Sequence, residues 1–264
     1  MPNELRNLLV WETLQKLESG RLGTHLYRTE TSDGIHAYLK VGTGDTADDL
    51  HKEKQRLEWI GSRIPIPEVL YFGMAGEILF LLISEIKGRL SHEYCTDTKM
   101  TKKVIELLAT SLRAVHDIPI ADCPFQDLLD REFKQARLRI EENLLDESTF
   151  YRGTDGLAPR KVLALLEEQR SIVKDFVFTH GDYCLPNVVL DSEKLFGIVD
   201  WETAAVADLH RDFMCIEKSI RRNCGHEWVQ LFYNAYGFFT PDQDRIRFYW
   251  LLDQFDQAYS PRSD

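Results

Sequence analysis

The stretch FTHGDYCLPNVVL, residues 178–190, sets an acid, Asp182, and an amide, Asn187, between two apolar runs. FVFT before them and NVVL after them are rich in aromatic and β-branched residues, the composition of short strands. A further apolar run, LFGIV, follows a turn over residues 191–194 and ends on a second acid, Asp200. The pattern is therefore H-G-D-Y-C-L-P-N and then V-D-W, with three polar side chains placed where strands give way to loops. Taken singly, each is an ordinary turn-former. Their joint spacing points to chemistry.

Phosphoryl transfer needs such a set. An Asp in the loop can accept the proton of a substrate hydroxyl, while an amide oxygen and a carboxylate on adjacent strands hold magnesium against the phosphates of ATP. Asp182 is the candidate base, and Asn187 and Asp200 are the candidate metal ligands. Upstream, HAYLK ends a predicted strand on Lys40, whose ammonium suits the α- and β-phosphates. In the helix that follows, Lys52, Glu53, Lys54 and Glu58 are all charged, and resemblance to the protein-kinase pattern makes Glu53 the candidate partner that holds this lysine in place. Gly20 and Gly23 in ESGRLGTHLY let a backbone approach a triphosphate. In LLISEIKG the backbone groups of Ser84 and Ile86 are placed to meet an adenine edge. His180 reads as a brace for the loop rather than as half of a Cys-His pair with Cys184, because no third orienting group accompanies them.

The rest of the chain is consistent with one globular unit of two lobes. It has 264 residues, 44% of them hydrophobic and 28% charged, and no low-complexity tract. A net charge of -11 argues against a nucleic-acid or anionic-membrane partner, which would repel it. Five cysteines without a C-x-x-C pair disfavour a disulfide framework and a structural zinc site. No apolar run approaches the roughly 20 residues that span a bilayer, and the first residues lack the zones of a signal peptide, so a cytoplasmic location is expected.

Periodicity changes near residues 85–88, which predicts lobes of 1–86 and 87–264. HLYRTETSDGIHAYLKV reads as a hairpin turning at Asp33 and Gly34. Residues 46–60 read as a helix with Leu50, Leu57 and Ile60 on one face, and VLYFG and ILFLLISE as further strands. Apolar spacings of three and four predict helices near 99–116, 127–143 and 158–169. Helices near 208–222, 227–236 and 242–256 are expected to close the chain.

The loop also resembles the protein-kinase run H-R-D-L-x-x-x-N followed by D-F-G, with Gly181 and Trp201 in place of the arginine and phenylalanine. With YLK, DLHKEKQRLEWIGSRIPIPEVLYF, LLISEIKG, THGDYCLPN and VADLHRDF, the chain resembles the aminoglycoside 3′-phosphotransferases over nearly its whole length. That resemblance implies an α+β, protein-kinase-like two-lobe fold. A small N-terminal β-sheet lobe with one main helix would bind the nucleotide, and a larger, mostly helical C-terminal lobe would carry catalysis and the substrate. It implies transfer of the γ-phosphoryl group of ATP, with Mg2+, to a hydroxyl of a small molecule, most economically the 3′-hydroxyl of an aminoglycoside, as in antibiotic resistance.

The same resemblance marks Asp253 as a substrate-side carboxylate and shows departures around it. Thr203 stands where the family has an arginine, and STFYRGT carries Thr149, Tyr151 and Arg152 where the family has an acidic loop. Arg221 and Arg222 occupy an ordinarily acidic helix end, while Glu202, Asp146 and Glu147 are compensating acids. An arginine in place of a carboxylate exchanges attraction for repulsion toward a polycation, about 1 kcal/mol or more per close pair. A kinase of a macrolide, sugar or metabolite, and a non-catalytic nucleotide-binding protein of the same fold, are the alternative readings.

Overall fold

The computed structural model describes residues 1–17, 24–126, 128–191, 194–237 and 240–260. By its contacts the chain divides into two compact units. The first comprises Met1–Leu108 and Cys184–Ala204; the second comprises Ala109–Tyr183 and Ala205–Asp264.

The N-terminal part begins with α1 (Asn3–Leu8), β1 (Leu9–Leu17), β2 (His25–Thr31) and β3 (His36–Gly42). It continues through α2 (Asp45–Ile60), β4 (Val69–Ala75), β5 (Ile78–Ser84), β6 (Arg89–Leu90) and α3 (Thr98–His116). β1 to β5 form an antiparallel sheet in the order β1-β2-β3-β5-β4. The expected hairpin is β2–β3, and Gly34 takes the positive φ of 84° that its turn requires. Leu5, Leu9, Ala37, Leu39, Phe80 and Leu82 build the core of this unit from alternate positions of the strands and from α1. α2 packs on β3, β4 and β5. It buries Leu50, Leu57 and Ile60 as its periodicity predicts, and also two charged residues, Glu53 and Arg56.

Further along lie α4 (Leu128–Glu141), α5 (Glu147–Gly153), α6 (Pro159–Gln169), β7 (Phe176–Thr179), β8 (Val188–Asp191), β9 (Lys194–Ile198) and β10 (Ala205–Asp208). The helices α7 (His210–Asn223), α8 (Val229–Tyr236) and α9 (Gln243–Gln257) follow. β8 and β9 form an antiparallel pair that adds β6 at one edge, within the first unit.

The second unit is helical around a core that includes Phe133, Phe150, Leu166, Phe248 and Phe255. α5 approaches α9 at Gly153, where a β-carbon would strike the Gln254 side chain, and Trp250 Nε1 donates to the Gly153 carbonyl at 3.1 Å. β7 and β10 pair antiparallel, Thr179 opposite Ala205, and so hold both ends of the chain segment that leaves the unit at Tyr183 and returns at Ala205. Asp208, at the end of β10, is fully buried and accepts hydrogen bonds from Arg245, the His210 N–H and the Lys174 N–H.

Candidate functional site

In the first unit, Lys40 stands in the middle of the sheet on β3, and its ammonium meets two carboxylates. Nζ donates to Glu53 at 2.8 and 2.9 Å and to Asp200 at 2.6 Å. The lysine side chain is 13% exposed and that of Glu53 only 2%. Burial opposes the charge on Lys40, but Glu53, Asp200 and Glu202 outweigh it and hold the ammonium above its ordinary pKa. Burial pushes the Glu53 carboxyl up to about 7 against the pull of Lys40. The lysine is therefore a fixed positive charge, as a phosphate ligand requires.

The β8–β9 pair brings the two predicted metal ligands together. Val188 lies opposite Ile198, and on the next rung the Val199 N–H donates to the Asn187 carbonyl at 2.9 Å, so Asp200 comes one residue beyond the position opposite Asn187. Asp200 has a φ of 62°, a left-handed conformation that costs a residue with a β-carbon about 1 kcal/mol or more. Asp tolerates it better than most, and such strain clusters where a side chain has to be aimed. Glu202 joins this group: oxygens of Glu53, Asp200 and Glu202 lie within 4.8 Å of one another. Three carboxylates beside one ammonium leave an excess of negative charge in an oxygen-only set, which suits a hard divalent cation such as Mg2+.

α2 anchors this arrangement twice. One turn beyond Glu53, the buried Arg56 donates from Nε to the Ala204 carbonyl at 2.8 Å and from Nη1 to the Lys52 carbonyl at 3.1 Å. Trp201 is fully buried and closes the turn after Asp200 by donating from Nε1 to the Ile198 carbonyl at 2.8 Å. Ser84 ends β5, with its N–H donating to the Glu68 carbonyl at 2.9 Å and its hydroxyl accepting from the Glu68 N–H at 2.8 Å. Ile86 packs against Gly197 of β9, where any β-carbon would collide with it. Gly20 and Gly23 lie outside the described residues.

In the second unit the loop bearing Asp182 is held by a buried acid on α7. The Asp212 carboxylate accepts the N–H groups of His180 at 2.8 Å and Gly181 at 2.7 Å. It also meets His116 Nε2 at 3.1 Å, while His116 Nδ1 lies 2.7 Å from the Tyr236 hydroxyl. Burial alone would raise the Asp212 pKa, but these donors and the neighbouring histidines hold it below the ordinary carboxylate value. Asp182 is exposed, and its N–H donates to His180 Nδ1 at 3.2 Å, so the buried ring of His180 braces the turn as its sequence position suggests. Gly181 has a φ of 87°, a conformation open to glycine at little cost.

A model of the phosphotransferase enzyme family matches residues 13–249. The chain belongs to this family. The aminoglycoside 3′-phosphotransferase of Niallia circulans is 33% identical over 256 residues, covering 96% of this chain and 97% of the relative. Among solved structures, an aminoglycoside 3′-phosphotransferase of type VIII superposes with a TM-score of 0.80 at 26% identity, over 92% of this chain and 94% of that one. An aminoglycoside phosphotransferase of Streptomyces rimosus, solved with ADP and streptomycin, has a TM-score of 0.75 at 26% identity, over 92% of each chain. The expected kinase-like fold is thus the fold of this phosphotransferase, with its N-terminal antiparallel sheet and mostly helical remainder.

The candidate substrate-side residues fall in different places. Glu202 belongs to the Lys40 cluster. Asp253 on α9 receives Lys218 Nζ at 2.6 Å, and Arg221 pairs with Glu217 at 2.7 Å. Arg152 is exposed at the end of α5, whose first turn Asp146 caps by accepting the Thr149 N–H at 2.9 Å. Arg56 and Asp212 were not singled out from sequence. A charged residue on the apolar face of α2 is the signal for the first, since Arg56 falls four positions before Ile60 and is buried with it. The second lies in VADLHRDF, a segment of the family resemblance, without a pattern of its own.

Among the described residues no helix is long and apolar enough to cross a membrane.

Proposed function

We propose that this phosphotransferase transfers the γ-phosphoryl group of ATP to a hydroxyl of an aminoglycoside, the 3′-hydroxyl by its likeness to the named relatives. The observation that carries the reading is the Lys40 ammonium held between Glu53 and Asp200. Lys40 neutralises charge on the nucleotide phosphates, Glu53 fixes the lysine, and Ser84 and Ile86 present backbone to the base. Gly20 and Gly23 are assigned to the phosphates by their place in the sequence alone. Asn187 and Asp200 hold Mg2+, which when bound supplies charge neutralisation for the triphosphate. Asp182 orients the acceptor hydroxyl and takes its proton, so that the oxygen attacks as the bond to ADP breaks. On the acceptor side Asp253 and Glu202 meet ammonium groups, and Arg152 restricts which polycations fit.

In this proposal residues 1–86 bind the nucleotide, joined by Asn187 and Asp200 through Mg2+, and residues 87–264 carry catalysis and acceptor binding. The complex of the Streptomyces rimosus enzyme with ADP and streptomycin supports a nucleotide and a hydroxylated small molecule as ligands. The proposed setting is the cytoplasm, in antibiotic resistance. The test is ADP release by the purified protein with ATP and Mg2+ over a panel of kanamycin-type aminoglycosides, a macrolide and simple sugars. Stimulation by kanamycin, with a phosphorylated product, is expected. Stimulation by a macrolide or a neutral sugar alone would overturn the aminoglycoside assignment.

The arginines favour one competing reading, a kinase of a less cationic acceptor. Lys218 on Asp253 and Arg221 on Glu217 already neutralise two acids of α7 and α9. The same panel separates the two.

A further inference from the structure

Adjacent residues of α7 grip the Asp182 loop through groups of opposite polarity. Asp212 accepts the N–H groups of His180 and Gly181, whereas Arg211 Nε donates to the Gly181 carbonyl at 3.2 Å. The Asp182 N–H, on the other side of that same peptide bond, donates to His180 Nδ1 at 3.2 Å. The peptide plane immediately before Asp182 is thus held at both polar ends. Turning it, and with it the direction of the Asp182 side chain, breaks at least one hydrogen bond. Cys215 Sγ, 3.6 Å from the same carbonyl, adds only a weak donor.

A long side chain fixes a carbonyl only if it is itself fixed, and Arg211 is fixed by an ion pair with Glu132 of α4. The two side chains are 12% and 11% exposed, so the guanidinium has few alternative positions. Glu132 is a poor choice for stability alone. Its second oxygen, Oε2, is buried without a hydrogen-bond partner, and burial pushes its carboxyl above the ordinary pKa despite the pull of Arg211. An apolar pair of similar volume would fill the place at lower cost. What an apolar pair could not supply is the N–H donor to the Gly181 carbonyl.

We infer that Arg211, pinned by Glu132, is a positioning residue that orients the Gly181–Asp182 peptide and so aims the base. This rests on the assignment of Asp182 as the base. The pair ties α4 to the reacting loop through a single guanidinium.

The experiment measures ATP affinity and turnover with an aminoglycoside acceptor for Arg211→Ala, Glu132→Gln and Asp182→Asn. Arg211→Ala is expected to lower kcat by about tenfold or more, with ATP affinity within about twofold of the parent. Added ethylguanidinium, which fits the space left, is expected to restore several-fold of that loss and to leave Asp182→Asn unchanged. Folded Arg211→Ala with parental kcat, or a loss that ethylguanidinium does not relieve, overturns the inference. If Arg211→Ala does not fold, Glu132→Gln decides: a kcat lowered by more than about twofold at unchanged ATP affinity supports the pair, and a smaller change overturns it. Parental turnover in Asp182→Asn would overturn the base assignment itself. A collapsed Asp182→Asn beside a parental Arg211→Ala would overturn only the role of Arg211.

Discussion

The Lys40 ammonium lies 2.6 Å from the Asp200 carboxylate, although 160 positions separate them in the chain. Glu53 completes the contact from α2, so one buried cation links the central strand, the main helix of the sheet and the end of β9. Replacing Lys40 by methionine keeps the volume and removes the charge. ATP affinity is expected to fall by about 10- to 100-fold, equivalent to roughly 1.4–2.8 kcal/mol, as read by nucleotide titration. An unchanged affinity would separate Lys40 from the phosphates.

The buried Asp212 gives a pH dependence. Its pKa in the fold is below the value of about 3.9 expected for the unfolded chain, so the fold binds its proton less readily. The stabilisation is therefore complete above that unfolded value and is lost as pH falls through the lower folded one. Urea midpoints of the parent should decline on acidification through this window, and those of Asp212→Asn should decline less. Parallel curves would show that Asp212 does not contribute.

Asp208 and Arg245 set the limit of what the fold tolerates. Both are buried, and Arg245 also reaches Asp175 at 2.6 Å and the Lys174 carbonyl at 2.6 Å. Arg245→Met leaves a buried carboxylate unpaired, which costs about 3–5 kcal/mol. Chemical denaturation should show a loss of that order, and one below about 1 kcal/mol would mean the network relaxes.

Much of this was legible in the sequence because local pattern and tertiary demand agree. α2, α6, α9 and the β2–β3 hairpin appear within a residue or two of their predicted bounds, since each has a clear apolar period or turn dipeptide. β1 had no such signal: its residues alternate poorly because most of them face solvent at a sheet edge. α5, the seven residues ESTFYRG, is too short to show a period. β10 is four residues that pair, among the described residues, with β7 alone. Lys40, Glu53 and Asp200 were legible as types at a spacing, and their convergence is tertiary. So is the return of residues 184–204 to the first unit, which no linear cut of the sequence can display. The burial of Glu53 beside Lys40, rather than of Lys52, Lys54 or Glu58 in the same helix, follows from the helical face that also buries Leu50 and Leu57.

The proposed role of Asp182 is to handle the proton of the acceptor hydroxyl. Its most direct test compares steady-state ADP release by the parent and by Asp182→Asn at saturating ATP, Mg2+ and kanamycin, with nucleotide affinity measured on the same samples. Turnover is expected to fall about 10²- to 10⁴-fold with ATP affinity unchanged within about twofold. An Asp182→Asn protein that keeps a third or more of the parental rate would contradict that role.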